Sequence, residues 1–340
     1  MKKAVILFNL GGPDKLESVE PFLFNLFNDP AIISIPSIFR YPLAKLISKR
    51  RAPIAKNIYR EIGNKSPILE LTQDQGKSLE KSLSTKGDYK CFVVMRCWHP
   101  RATEVIKKVR EYNPDEIILL PLYPQYSAST SGSSINEWNN LCKKENFQVK
   151  TKTICCYPTE NNFIESHARS IKESIKNLKN KNFKLLFSAH GLPENKIKKG
   201  DPYQWQIEQT VDGIMSKLLN ENLDYIISYQ SRVGPLKWIG PSTDEIIIKY
   251  SKEKKGIVIV PVAFVSEHSE TLVELDIEYK KLAEKNGCGF YKRVPALGIE
   301  ENFIKGLTEL VLQKETRDIF VSSVMCPNKY VKCPCLAIKS

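Results

Sequence analysis

The chain has 340 residues, a formal net charge of +13 and a hydrophobic fraction of 42%. A chain of this length accommodates two domains of ordinary size, and its composition excludes disordered and fibrous proteins. It lacks the cleavage site of a secretory signal and any run of ~20 apolar residues, and its scattered lysines match no nucleic-acid-binding motif, so secreted, membrane-spanning and nucleic-acid-binding proteins are disfavoured.

Strands and helices alternate along the chain, which predicts α/β layers built on doubly wound parallel sheets. The predicted strands are apolar, β-branched runs that end in polar or glycine-bearing turns, and they cover residues 4–8, 92–95, 116–122, 183–187, 225–228 and 256–264. The predicted helices are amphipathic and cover residues 101–112, 162–178, 202–219, 270–285 and 301–312.

The alternation occurs twice, on either side of a seam near residues 155–158. We therefore predict an N-terminal α/β domain over residues 1–157 and a C-terminal α/β domain over residues 158–315. Residues 316–340 form a tail whose cysteine-bearing composition differs from that of the preceding chain. This tail is predicted to be a separate module.

Candidate catalytic residues are sought at the carboxyl ends of the strands, where open α/β sheets bind their ligands. Two of the four histidines, His190 and His268, fall at such positions, whereas His167 lies in a helical pattern and is predicted to be structural. His190 ends a strand and is followed by Gly191, a sequence that would expose its ring at a sharp turn. On local features alone, a catalytic and a structural role for His190 fit equally well.

Three acidic residues recur at four-residue steps, at Glu270, Glu274 and Glu278, which places them on one face of a predicted helix. An ordinary solvated helix with an acidic face explains this pattern. A carboxylate path for a hydrated divalent cation, beginning beside His268, explains it as well, because oxygen ligands can hold such an ion weakly enough to pass it on.

Nine cysteines in a chain without a secretory signal indicate reduced thiols or metal ligands. Cys326, Cys333 and Cys335 offer three thiolates in the tail, one fewer than an iron–sulfur cluster or structural zinc ion usually requires. Three reduced thiols are the alternative. A fourth ligand from the body of the chain has its best candidates in Cys155 and Cys156, with Cys91, Cys97, Cys142 and Cys288 not excluded.

Around these residues the chain carries long motifs that resemble those of the ferrochelatase family. The segment LLFSAHGLP contains His190, and the segment PVAFVSEHSETLVELDIEY contains His268 and the three glutamates. Shorter motifs of the same family are LGGP from Leu10, PQYS through Tyr126, and YQSRVGPLKW, which ends at Trp238. The resemblance extends from residue 9 to about residue 303.

The resemblance implies two similar Rossmann-like α/β domains that enclose a porphyrin cleft. It implies the terminal step of haem biosynthesis, in which ferrous iron enters protoporphyrin IX and two protons leave, without a required cofactor. His190 matches the family's active-site histidine, as base or as metal ligand, and Glu270 matches its acidic partner. Glu274 and Glu278 match the continuation of the family's acidic ridge toward the metal.

Several further residues match positions that the family uses for the porphyrin. Leu10, Tyr123 and Trp238 match cleft-lining residues, and Arg96 matches a cleft arginine. Two further residues match positions that face the porphyrin carboxylates, Arg51 and Ser231.

The chain departs from the family's pattern at two positions. Cys97 stands where a tyrosine is usual, and Ala128 replaces the cysteine with which animal ferrochelatases bind a 2Fe-2S cluster. Some bacterial members space their tail cysteines as this chain does and take the fourth ligand from elsewhere. A 2Fe-2S cluster on the three tail cysteines with Cys155 or Cys156 is therefore an expectation.

Residues 31–51 mix large apolar side chains with five basic ones, as an interfacial lip would, although an ordinary amphipathic helix explains the pattern almost as well. We expect a cytoplasmic protein, with peripheral contact at the inner membrane and a homodimer left open. The alternatives to ferrochelatase activity are a haem- or metal-binding carrier of the same fold and a chelatase for another metal, such as cobalt or nickel, or another tetrapyrrole.

Overall fold

The computed structural model describes residues 1–178, 182–232, 234–313, 319–321 and 326–336. The chain divides into two compact units, one formed by Met1–Cys156 with Leu307–Val321 and the other by Tyr157–Gly306 with Ser322–Ser340. Each unit is built of helices around a parallel sheet, which confirms the predicted α/β class.

Within the described residues, the strands follow the buried apolar runs of the sequence, since a strand covered on both faces by helices needs apolar side chains on both. Their bounds are β1 Lys2–Asn9, β2 Asp88–Met95, β3 Glu116–Pro121, β4 Lys150–Cys156, β5 Phe183–His190, β6 Tyr225–Gln230, β7 Gly256–Pro261, β8 Tyr291–Arg293 and β9 Ile319–Val321.

The helices place their apolar stripes against these sheets. Their bounds are α1 Val19–Phe27, α2 Ser37–Arg60, α3 Ile68–Leu83, α4 Ala102–Tyr112, α5 Ser131–Lys144, α6 Asn161–Ile175, α7 Glu194–Lys198, α8 Tyr203–Lys217, α9 Thr243–Lys252, α10 Tyr279–Lys285 and α11 Glu301–Leu312, with a π-helix at Glu270–Glu278. In the described part of the chain, no helix has both the length and the apolar character of a membrane span.

The sheet of the first unit is parallel, with strand order β2-β1-β3-β4-β9. Its core lies between the sheet and helices α4 and α5, where Ile6 and Phe8 of β1 are fully buried and Phe8 packs edge-on against Trp138. The sheet of the second unit is also parallel, with order β6-β5-β7-β8. Its core includes Leu275 of the π-helix, which is fully buried beside Ile259 of β7. The apolar side of the π-helix therefore packs against this sheet.

Two predicted features differ from the structure. The helix predicted over residues 270–285 is a π-helix up to Glu278 and an α-helix only from Tyr279, because an amphipathic pattern reports which face is buried but not which backbone groups pair. The C-terminal part also divides differently from the predicted 158–315 domain and 316–340 tail. Residues Leu307–Val321 return to the first unit, where β9 pairs with β4.

The tail is only partly described, since residues 314–318, 322–325 and 337–340 lie outside the described residues. Its cysteine-bearing part, residues 326–336, belongs to the second unit. There the Lys332 amide donates to the Gly200 carbonyl, and the Tyr330 ring lies 5.7 Å from that of Trp205 on α8. This segment is packed on the second unit through contacts with α8 and the turn before it.

Candidate active site

Three chain segments meet at one edge of the second unit's sheet. Strands β5 and β6 run parallel in a register that pairs His190 with Gln230, so both strands end at the same edge. The π-helix begins at the same place, because the Gln230 side-chain amide donates to the backbone carbonyl of Glu270 at 3.2 Å. The sequence-predicted residues His190 and Glu270 are thereby brought together.

The carboxylate of Glu270 lies between two histidines. Its Oε1 is 3.7 Å from Nε2 of His190, and its Oε2 is 3.7 Å from Nε2 of His268. Both separations suit ion pairs but are too long for strong hydrogen bonds. The Oε2 atom is also buried without a hydrogen-bond partner among the described residues, so it retains the capacity to accept from a donor or to bind a cation.

The protonation pattern of the two histidine rings follows from their backbone contacts. Nδ1 of His190 lies 2.6 Å from the carbonyl oxygen of Gly191, and Nδ1 of His268 lies 3.1 Å from that of Ser266. Because a carbonyl oxygen only accepts hydrogen bonds, each Nδ1 carries the hydrogen and donates it. Each ring therefore turns Nε2, the atom that can take up a proton or a metal, toward Glu270.

The electrostatics of this group favour a charged carboxylate. Burial alone would raise the pKa of Glu270, but the positive charges that His190 and His268 carry when protonated outweigh it and lower the pKa to about 2. Burial likewise tends to lower the pKa of His268, and the Glu270 carboxylate reverses this and raises it. Glu270 is thus an anion held beside two imidazole rings.

Glu274, four residues along the π-helix, is surrounded by hydrogen-bond donors. Its Oε1 accepts from the Ser231 amide at 2.9 Å and from the Tyr279 hydroxyl at 3.0 Å. Its Oε2 accepts from the Ser231 hydroxyl at 2.5 Å and from the Gln230 side chain at 3.0 Å. Burial and the neighbouring Glu270 charge raise the pKa of Glu274 despite these donors. Glu278, at the far end of the π-helix, is exposed.

The loop after β6 carries Ser231 in a left-handed conformation, with φ of 59°, and the two bonds to Glu274 hold it there. Trp238 ends the same loop, and its ring borders Gly191. A Cβ atom at Gly191 would stand 2.9 Å from the Gln230 carbonyl oxygen and 3.2 Å from Trp238, so only glycine fits directly after His190. Val233, within the same motif, lies outside the described residues.

Sequence reasoning missed several residues of this group. Tyr203 at the start of α8 is buried and hydrogen-bonded to the backbone of His190, and burial raises its pKa. Gln230 and Tyr279 bind Glu274. These three contacts join residues whose proximity only the fold reveals. His268, which the sequence already places at a strand end beside Glu270, is the second partner of Glu270.

In the first unit, Arg96 has its hydrogen-bond donors occupied by side chains of the same unit. Its Nη2 lies 3.0 Å from Asp29, its Nη1 lies 3.1 Å from Glu137, and its Nε donates to Ser133 at 2.7 Å. Arg101 pairs with the same Glu137 carboxylate at 2.7 Å. Each of the three guanidinium nitrogens of Arg96 thus has a partner within the unit.

The other porphyrin-site candidates of the first unit have different surroundings. Leu10 is half-buried against an apolar cluster that contains Phe22. Tyr123 packs on the core of the unit, and burial of its hydroxyl raises its pKa. Arg51 is exposed on α2, with its guanidinium carbon 5.8 Å from the ring centre of Phe27.

The tail cysteines are all buried in the second unit. The sulfur atoms of Cys333 and Cys335 lie within 4.8 Å of one another. Cys326 accepts a hydrogen bond on its sulfur from the buried Gln206 side chain of α8 at 3.2 Å. Cys155 and Cys156 are buried at the end of β4 in the first unit.

Comparison with known proteins identifies the family. A family model described as ferrochelatase matches residues 2–315. The chain is 65% identical to the ferrochelatase of Pelagibacter ubique, with 99% of each chain covered, and 50% identical to that of Rickettsia felis, with 98% of this chain and 99% of the relative covered. Among solved structures, the chain is similar to the sirohydrochlorin chelatase SirB from Bacillus subtilis subspecies spizizenii in complex with cobalt, with a TM-score of 0.50 and 10% sequence identity. The match covers 90% of this chain and 92% of the SirB chain. At this identity, the likeness shows a shared fold alone. The chain belongs to the ferrochelatase family.

Proposed function

We propose that His190 and Glu270 carry the reaction of this chain, the insertion of ferrous iron into protoporphyrin IX to give protohaem, the terminal step of haem biosynthesis. The observation that supports this assignment is the Glu270 carboxylate, which lies 3.7 Å from the Nε2 atoms of both His190 and His268. A metal entering a porphyrin needs an anionic ligand on its way and a base for the displaced protons. This group of side chains supplies both.

His190 is the proposed base. The reaction converts ferrous iron and a porphyrin with two N–H groups into iron porphyrin and two protons. With Nδ1 donating to Gly191, the Nε2 lone pair of His190 accepts one pyrrole proton, and the nearby Glu270 charge stabilises the imidazolium that forms. The side chain is 40% exposed, so it releases the proton to solvent and accepts the second in turn.

Glu270 is the proposed metal-facing carboxylate. It stays charged, and one of its oxygens is buried without a hydrogen bond among the described residues. The sequence predicts that Glu274 and Glu278 continue the metal path. The four donors around Glu274 support an anchoring role for it, and the exposed Glu278 could meet hydrated iron at the outer end of the π-helix.

The porphyrin-binding roles of Leu10, Arg51, Tyr123, Ser231 and Trp238 remain proposals that rest on the family motifs. The exposure of Arg51 supports a role for it with the porphyrin carboxylates, because an exposed guanidinium is free to form a bidentate pair. Arg96 matches a cleft arginine of the family, and its internal network with two carboxylates supports a structural role for it.

The test is insertion of ferrous iron, with zinc as a fluorescent proxy, into protoporphyrin by the wild type and by His190→Ala. A His167→Phe variant controls for loss of a histidine elsewhere in the unit, since His167 is buried in α6. We expect turnover to be lost in His190→Ala and kept in the control. Tight porphyrin binding without turnover by the wild type would instead indicate a carrier.

We infer that the tail holds a 2Fe-2S cluster through Cys326, Cys333 and Cys335, with one further ligand outside the tail. Three buried thiols within one short segment suit such a site, and an amide donor to the Cys326 sulfur is the kind of contact that tunes cluster potentials. Anaerobically purified protein should contain about two irons and two sulfides per chain, as this cluster type requires. A Cys333→Ser variant should lose them, and wild type without acid-labile sulfide would reject the cluster.

We also propose that helix α2 contacts an anionic membrane surface. The exposed part of α2 combines large apolar side chains with the basic residues Lys45, Lys49 and Arg50. Its exposed apolar residues are Ile38, Phe39, Tyr41, Leu43, Leu46 and Ile54. The protein should sediment with phosphatidylglycerol vesicles at low salt, and Phe39→Ser should weaken this. If the same fraction of the protein is found in the pellet without vesicles, the proposed membrane contact is wrong.

A further inference from the structure

Arg293, at the end of the short edge strand β8, is nearly buried and faces the π-helix from the sheet side. Its side chain is 11% exposed. Its Nε donates to Oδ1 of Asp276 at 2.7 Å, and its Nη2 donates to Oδ2 of the same carboxylate at 2.8 Å. This two-bond fork fixes the direction of the Asp276 side chain, which belongs to the π-helix.

The same guanidinium also binds Glu267, the residue that directly precedes His268. Its Nη1 donates to Oε1 of Glu267 at 2.8 Å, and this oxygen also accepts from the Ala296 amide at 3.0 Å. Glu267 directly precedes His268, and Asp276 lies near the other end of the π-helix. Arg293 therefore ties both ends of the segment that carries His268 and Glu270.

A second contact from β8 reaches the π-helix backbone. The Tyr291 hydroxyl donates to the Leu275 carbonyl at 2.7 Å. π-Helices are rare and are found mainly at functional sites, so their geometry needs support from neighbouring groups. The described contacts of β8 with the π-helix supply such support at Leu275 and Asp276.

We propose that Arg293 is a positioning residue for metal insertion, which clamps the π-helix between Glu267 and Asp276 and so holds Glu270 within reach of His190 and His268. This inference rests on the proposed roles of His190 and Glu270. Arg293 itself is turned toward carboxylates of its own unit, so it acts through the position of Glu270.

The clamp predicts a specific kinetic pattern. Arg293→Lys keeps a positive charge but cannot form the fork, and Asp276→Asn keeps the size of its partner while removing the charge. A displaced Glu270 should raise the KM for ferrous iron, and for zinc as its fluorescent proxy, about tenfold or more in each variant. The KM for protoporphyrin should stay within about twofold of wild type, because the change acts on the metal side.

Arg169→Lys is the matched control. Arg169 lies on α6 in the same unit, is 57% exposed and pairs with Glu300 at 3.1 Å, away from the π-helix. This variant should behave as wild type. Rates should be compared per folded molecule, with folding checked by circular dichroism, and Asp276→Asn keeps the test open if Arg293→Lys does not fold.

The outcomes are distinct. A metal KM that rises selectively in both clamp variants supports the positioning role. A metal KM within about twofold of wild type in both variants, or a loss of activity that a smaller folded fraction explains fully, overturns it. Absence of insertion by the wild type would overturn the chelatase function and with it the basis of this inference.

Discussion

The Glu274→Gln variant tests whether Glu274 has a structural role, as an acceptor of hydrogen bonds, or binds the metal. The carboxylate accepts four hydrogen bonds, two on each oxygen, from Ser231, Gln230 and Tyr279. Glutamine keeps the shape of the side chain but has one acceptor oxygen and one NH2 group. In either orientation of the new amide, at least one donor then faces another donor.

The cost follows from these contacts. A hydrogen bond to a charged group contributes about 1.5–3 kcal/mol, and a buried donor left without an acceptor costs a similar amount. Relief of the repulsion between Glu274 and Glu270 offsets part of the loss. We expect the free energy of unfolding to fall by about 2 kcal/mol. The KM for porphyrin should rise, because Ser231 loses the anchor that holds its left-handed backbone.

The assay combines urea denaturation with steady-state zinc insertion for Glu274→Gln and Glu278→Gln. The second variant is the matched control for stability, because Glu278 lies on the same π-helix and is exposed. It should unfold as wild type does, and the KM for metal of Glu274→Gln should change by less than about threefold. Unchanged stability of Glu274→Gln together with a metal KM raised about tenfold would refute the anchoring argument and favour a ligand.

Three further variants test other parts of the account. Gly191→Ala should abolish insertion, since its Cβ would stand 2.9 Å from the Gln230 carbonyl; wild-type rates would contradict this. Arg96→Met should destabilise the protein by about 3–5 kcal/mol in urea denaturation, because it removes the cation that is paired with the buried Asp29 carboxylate; a rise in porphyrin KM at unchanged stability would contradict that. Burial lowers the pKa of His167 from 6.5 to about 3. The free energy of unfolding should therefore be independent of this group above pH 6.5 and fall by about 1.4 kcal/mol per pH unit between pH 6.5 and pH 3, because only the unfolded chain binds the proton there. His167→Phe should lack this loss when urea denaturation is compared at about pH 5 and pH 7.

Much of the fold was predictable because its strands are apolar runs buried on both faces. Strands β1, β3, β5 and β7 follow such runs closely. Strand β4 was missed because its first half, KTKT, is polar and only its last four residues are buried, and β8 was missed because it has three residues. The π-helix was predicted as an ordinary helix, since contacts such as that of Tyr291 with Leu275 are tertiary.

The site was predictable where it consists of residues at strand ends within long motifs. His190 and Glu270 were found in this way, and the structure brings them together in one unit. The donors around Glu274 and the clamp at Arg293 were not found, because they join residues up to 44 positions apart whose proximity depends on strand register. Sequence pattern therefore identifies the reacting groups better than the groups that position them.

The most direct test of the central claim is single-turnover insertion of ferrous iron into bound protoporphyrin by the wild type and by Glu270→Gln under anaerobic conditions. The glutamine keeps the size of the side chain but removes the charge that lies between His190 and His268. The account predicts a rate lower by about 100-fold or more, with porphyrin binding unchanged. A Glu270→Gln variant that inserts iron at the wild-type rate would contradict the account.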